Sequence, residues 1–157
     1  MGDRMKKFKE LWKNYLMQSF FATLSLFVVL LILNIKYQVV IASIGATAFI
    51  VFITPKSSVA NAKNVIGGHL IGLLCGSLCS LIPQVTLFHS ILVYSLAVGL
   101  SIFLMVVVGV RHPPAAGTAL GVALTGFSWN VTLAVIVSAV ILSIFHHVLK
   151  PFLKDLK

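Results

Sequence analysis

Apolar residues in this chain come in long unbroken blocks. They show neither the alternation of a half-buried strand nor the narrow stripe of a surface helix. Six blocks can be drawn, at Met17–Asn34, Gln38–Thr54, Asn64–Ile82, Phe88–Val110, Pro114–Phe127 and Asn130–Leu149. Phe88–Val110 contains no charge at all. In a bilayer no water satisfies the backbone, so each such block must bond to itself as a helix. The pattern predicts an all-α membrane protein with about six membrane segments. At about 1.5 Å per residue, the second block reaches about 26 Å and the fifth about 21 Å, against a hydrocarbon core of about 30 Å.

The two short blocks sit in equivalent places, each the middle of three. They also echo each other, with Ala42-Ser43-Ile44-Gly45-Ala46-Thr47-Ala48 in one and Pro114-Ala115-Ala116-Gly117-Thr118-Ala119 in the other. Three segments per half is an odd number, so the chain reads as two inverted three-segment halves. Short or broken segments at matched positions of such halves point to a transporter binding site.

Composition sharpens this. The chain is 59 % hydrophobic and 10 % charged, whereas a soluble domain carries about 25 % charged residues. A net charge of +9 raises the idea of nucleic acid, and the distribution of the cations removes it. Arg4, Lys6, Lys7, Lys9 and Lys13 precede the first block, and Lys150, Lys154 and Lys157 follow the last. Such clusters mark orientation and contact with anionic headgroups. The organisation expected is a basic cytoplasmic segment over 1–16, a single transmembrane domain over 17–149 and a basic cytoplasmic tail over 150–157. With six crossings, every Lys and Arg except Lys36 falls on one side, which the positive-inside rule makes cytoplasmic. Re-entrant second and fifth segments would move Lys56, Lys63 and Arg111 across. The expected location is the plasma (inner) membrane, with both termini cytoplasmic. Leu16–Leu33 is followed by Asn34-Ile35-Lys36-Tyr37, with no small-residue cleavage site, so it reads as a retained helix and not a signal peptide. Trp12, Tyr15, Tyr37 and Trp129 read as interfacial anchors.

The candidate chemistry centres on Arg111-His112-Pro113-Pro114. Two prolines remove two backbone donors and fix φ twice, so one helix ends near Val110 and another begins at Pro113 or Pro114. First-turn amides at Ala115, Ala116 and Gly117 would then be free to meet an anion, with Thr118 adding a hydroxyl and Arg111 a bidentate cation. Gly45 and Thr47 would approach from the second segment, and His69 is a further polar group at depth. Each also has a plainer reading: Arg111 as an interfacial topology marker, His69 as a histidine bonded to a carbonyl, the glycines as packing residues. His146, His147 and His89 read as interfacial. Asp3, Glu10 and Asp155 are the only acids and all lie in the tails, so no carboxylate serves a cation at membrane depth. That favours a small anion or neutral solute. Cys75 and Cys79 share a helical face with Gly68, Gly72 and Gly76 and read as packing residues. No cofactor and no metal set is expected.

His112-Pro113-Pro114 followed by Ala115, Gly117, Thr118 and Ala119 resembles the signature of the HPP family of integral membrane proteins. Ile41–Ala48, then Pro55 and Ser57, then Asn64-Val65-Ile66-Gly67-Gly68-His69 agree with it in order and spacing. The resemblance runs from about Leu24 to Val148. It implies an integral membrane protein, commonly described with four spans, and a transport role; plastid and cyanobacterial relatives are linked to nitrite.

The expected function is therefore a membrane transporter or channel for a small inorganic anion, nitrite being the named candidate, with Arg111, His112, Pro113, Pro114, Gly117, Thr118, Gly45, Thr47 and His69 as substrate-binding residues. The alternative is a non-transporting assembly or regulatory subunit. No enzymatic activity is expected, since neither a paired carboxylate nor a serine elbow is present. A homo-oligomer is expected, because so few segments enclose a pore poorly on their own.

Overall fold

The computed structural model describes residues 2–32 and 38–156, and they form six α-helices. These are α1 (Gly2–Ile32), α2 (Gln38–Ile53), α3 (Ala62–Ser80), α4 (Leu87–Val108), α5 (Pro114–Thr125) and α6 (Trp129–Leu149). Short 3-10 turns at Ser58–Ala60 and Lys150–Phe152 complete them. Four helices hold stretches long and apolar enough to cross a membrane, and α2 and α5 are the two shorter apolar ones. The six expected blocks thus match six helices. Lys36 and Tyr37, expected as the lone outer cation and a belt anchor, lie outside the described residues. The basic segment 1–16 is continuous with the first span, since α1 starts at Gly2.

Packing contacts at the helix ends set the direction of each helix. Val40 at the start of α2 packs with Leu73, Val122, Val131 and Val135. At the other end of α2, Phe52 packs with Leu153, and the N–H of Leu156 donates to the carbonyl of Ile53 at 3.0 Å. The start of α5 lies with the α2–α3 loop, and its end reaches Gln84 between α3 and α4, whose Nε2 donates to the carbonyl of Ala123 at 3.5 Å. Both short helices therefore run from one end of the bundle to the other. The principal contacts are α1 with α2 and α6, α2 with α5 and α6, α3 with α4, α5 and α6, and α4 with α5. Exchanging α1, α2, α3 for α4, α5, α6 leaves this set of pairs unchanged.

Small residues make the tightest of these contacts possible. Gly68, Gly72 and Gly76 lie along the α3 face that meets α5. A Cβ on Gly76 would fall 2.6 Å from the Ala119 carbonyl oxygen and 2.8 Å from Val122 Cβ. The expected close packing is thus met within one chain. Cys75 and Cys79 are buried free thiols beside it.

The end of the bundle that carries Lys56, Lys63 and Arg111 is tied together by polar bonds. Gln18 of α1 is fully buried. Its Nε2 donates to the carbonyl of Lys154 at 2.8 Å and to that of Phe52, and its Oε1 accepts from the Lys154 N–H at 3.2 Å. The Lys56 N–H donates to Asp155 Oδ1 at 3.1 Å. His146, in the last turn of α6, is buried against the loop at this end of the bundle, and its Nε2 donates to the Pro55 carbonyl at 2.8 Å. Residues 153–156 are therefore packed under the bundle. A carbonyl-rich loop end leaves acceptors that amide and imidazole N–H groups can fill. Trp12 and Trp129 are exposed on the outer surface, as belt anchors require.

Candidate functional site

Gly109 ends α4. Its φ of 71° and ψ of 26° place it in the left-handed region, and the Val110 N–H reaches back to the Met105 carbonyl at 2.9 Å. Glycine adopts this geometry without a Cβ penalty, which closes the helix before the prolines are reached. The expected stop near Val110 has Gly109 as its cause. Pro113 then takes α geometry, with φ −51° and ψ −39°, although it precedes another proline. The turn therefore starts one residue early. The Ala115 N–H donates to the His112 carbonyl at 2.9 Å and the Ala116 N–H to the Pro113 carbonyl at 3.1 Å. This corrects the expected amide cradle, because two of its three donors are already occupied.

What the break positions instead is His112. Its side chain is 1 % exposed and turns inward, its Cβ lying against the Cα of Gly68, where a Cβ would come within 2.7 Å. Nδ1 donates to the carbonyl of Val59 at 3.0 Å, and Nε2 lies 2.9 Å from Thr47 Oγ1. Thr47 Oγ1 is also 2.9 Å from His69 Nε2. His69 Nδ1 is 2.8 Å from Thr118 Oγ1, and Thr118 Oγ1 is 2.8 Å from Ser43 Oγ, which donates to the Pro114 carbonyl at 2.6 Å. The two imidazoles tilt at 59° with centroids 5.1 Å apart. His112, Thr47, His69, Thr118 and Ser43 thus form one continuous buried chain. It joins α2, α3, α5 and the α4–α5 linker where the two short helices cross. Among the described residues, no carboxylate is bonded to it.

Of the expected site residues, His112, Thr47, His69 and Thr118 are brought together, and Pro114 contributes its carbonyl. His69 binds two hydroxyls, not the carbonyl of the plainer reading. Gly117 packs on the cluster, since a Cβ there would meet Ser43 Cβ at 3.4 Å. Gly45 does not belong: nothing lies within 4 Å of where its Cβ would be, because Ser43 and Thr47, four apart, define the inward face of α2 and Gly45 falls off it. Arg111 is exposed, and its backbone N–H donates to Asn64 Oδ1 at 3.3 Å. Its side chain stands at the rim, outside the chain of bonds. Ser43 was not singled out from sequence, although its four-residue spacing from Thr47 was a readable signal.

Two grooves flank the break. One of about 290 Å³ is lined by Arg111, His112, Pro113 and Ala116 with apolar residues of α4. The other, of about 560 Å³, is lined by Ser43, Pro113, Pro114 and Gly117 with Ala42, Ala46, Phe49 and Ile50. Both have largely apolar walls, with the buried His112 behind one and Ser43 behind the other.

The chain is similar to a transmembrane protein of Dictyostelium discoideum, with 39 % identity over 88 residues, 56 % of this chain and 31 % of that protein. It therefore spans less than a third of that relative's length. No solved structure matches it. The family described as HPP, transmembrane region, matches residues 7–155, which includes every residue of the cluster. The chain belongs to this HPP transmembrane family.

Proposed function

We propose that the chain is a membrane transporter or channel for a small inorganic anion, with nitrite as the first substrate to test. The observation that carries this reading is the buried imidazole–hydroxyl chain where α2 meets α5, to which no carboxylate is bonded among the described residues. Buried polar groups inside a membrane domain are costly unless they serve a ligand path or satisfy one another. Here Ser43 and His112, bonded within the buried chain, also line the two grooves, which supports the first of these. The groups at hand are neutral hydroxyls and imidazoles with a guanidinium at the rim and no acid beside them, which suits a small oxyanion better than a cation.

The unchanged set of helix contacts on exchanging the halves supports an inverted repeat, with the site at the interface of the repeats. Lys56, Lys63, Arg111 and Lys154 gather at one end of the bundle, and by the positive-inside rule that end faces the cytoplasm. A cysteine placed at Ser58 should then react with an impermeant maleimide only after the membrane is opened; labelling of intact cells reverses the orientation. A homo-oligomer is part of the proposal, because the cluster is surrounded by packed helices and the two grooves beside it lie on the surface of the chain.

Purified protein in liposomes should take up nitrite at a rate well above that of protein-free vesicles, saturably, and with no uptake of sodium or potassium. Flux equal to that of empty vesicles for nitrite, nitrate and formate alike would remove the reading.

A further inference from the structure

The hydrogens in the buried chain can be counted. Seven contacts each need one: Ser43 to the Pro114 carbonyl, Ser43 to Thr118, Thr118 to His69, His69 to Thr47, Thr47 to His112, His112 to the Val59 carbonyl, and Thr47 to its own helix at the Ser43 carbonyl. Three hydroxyls and two neutral imidazoles supply one hydrogen apiece. The Val59 carbonyl only accepts, so His112 spends its hydrogen on Nδ1, and a neutral His112 presents a bare Nε2 to Thr47. If Ser43 donates to Pro114, then Thr118 donates to Ser43 and His69 must donate from Nδ1. A neutral His69 then also presents a bare Nε2 to Thr47. The single hydrogen of Thr47 faces two imidazole lone pairs at 2.9 Å each. Moving the His69 hydrogen to Nε2 only transfers the shortage to the 2.6 Å contact between Ser43 and the Pro114 carbonyl.

One added proton resolves every contact except the Thr47 bond to its own helix, whose carbonyl also serves the helical ladder. We infer that the His69–Thr47–His112 triad is a binding site for one proton, taken up together with a small anion seated beside His112 in the Arg111-lined groove. The proton has two equivalent homes. On His69 it sits on Nε2 and donates to Thr47, whose own hydrogen goes to His112 Nε2. When the His69 proton passes to Thr47 Oγ1, Thr47 gives its hydrogen to His112, and the charge has moved with no net change in atoms or bonds.

The anion is needed because nothing else balances the charge. The only acids are Asp3, Glu10 and Asp155, and Asp155 accepts from Lys56 at the end of the bundle. Around the triad, α2 and α5 carry no titratable group, α3 adds Lys63 at its start and Cys75 and Cys79 in its second half, α4 has His89 and Tyr94 in its first third, and α6 offers His146, held by Pro55, and His147. Lys56 of the α2–α3 loop, Lys63 at the start of α3 and Arg111 are exposed cations. An unpaired imidazolium buried among them is strongly unfavourable. A monovalent anion removes that penalty, and linkage then requires each ligand to raise the affinity for the other equally. The transported species is a proton–anion pair, and its movement is electroneutral.

This inference rests on the anion-transport reading of the same site, and two measurements separate them. The first is proton uptake by detergent-purified protein in weak buffer near neutral pH on adding sodium nitrite, read with a pH dye against sodium sulfate. The second is dye-reported proton entry during nitrite flux in liposomes, with the membrane potential set by valinomycin and potassium. The expected result is one proton bound per chain and one carried per nitrite, insensitive to potential. Thr47→Val, close in shape but without the bridging hydroxyl, should lower uptake at least about tenfold, and Thr47→Ser should restore it. Nitrite flux without proton uptake or entry overturns the inference and leaves the transporter standing. Proton uptake without flux supports the inference and removes the transporter. Uptake unchanged in Thr47→Val also overturns the inference.

Discussion

Gly72→Ala lowers the thermal stability of the purified protein and disables the cluster, while Gly99→Ala does neither. A Cβ at Gly72 would stand 3.3 Å from the Ala115 carbonyl carbon and 3.3 Å from Thr118 Cβ, with the Ala115 carbonyl oxygen closer still. Backbone cannot swing aside as the end of a flexible side chain can. Helix α3 must retreat from α5, and this is the most extensive helix contact in the molecule. Overpacking of this kind costs about 1–3 kcal/mol. For a chain of this size each kcal/mol lowers the melting midpoint by about 2–4 °C. The retreat also lengthens the bond between His69 on α3 and Thr118 on α5, so anion flux should fall more than stability does. At Gly99 nothing lies within 4 Å, so alanine there brings only its better helix propensity, worth up to about 1 kcal/mol. Monodisperse recovery after heating, read by size exclusion, distinguishes the two. Equal midpoints for Gly72→Ala and wild type would show that α3 and α5 can separate freely.

Much of the fold was legible because membrane helices announce themselves by composition. Uninterrupted apolar blocks gave six helices in their places, and the short second and fifth are short in the structure. Legibility fell where one residue acts through its neighbours in space. Gly109 stood in plain view, yet the prolines after it drew attention as the helix stop. Ser43 and Gly45 lie two residues apart in the same small-residue run, and sequence chemistry favoured the glycine. Only the orientation of α2 decides between them, and it follows from the spacing of Ser43 with Thr47. The free amides expected at the start of α5 failed for a related reason. Pro113 entered the helix, and the carbonyls of His112 and Pro113 took the amides of Ala115 and Ala116. The position of His146 near Lys150 at the end of α6 is plain in the sequence, whereas the returning α2–α3 loop that buries it has no local signature.

His112→Ala should abolish anion flux, and Arg111→Ala should only weaken it, although the two residues are neighbours in sequence. Removing the imidazole leaves the Val59 carbonyl without its donor and Thr47 without one of its two imidazole partners, and it opens the wall of the groove of about 290 Å³. A hundredfold loss of rate corresponds to about 2.7 kcal/mol of barrier, which two buried hydrogen bonds readily supply. His112→Gln is the control for folding, since its amide offers both a donor and an acceptor but cannot carry a proton. It should keep the melting midpoint and lose the flux. Arg111 is exposed at the rim, where, on the proposed reading, its charge would draw anions toward the groove. Arg111→Ala should therefore raise the half-saturating nitrite concentration a few fold at low ionic strength, with the difference shrinking as added salt screens the charge. Its rate at saturation should match wild type. Full flux in His112→Gln would place the solute path away from the cluster. Complete loss in a well-folded Arg111→Ala would move the site from the buried imidazoles out to the rim.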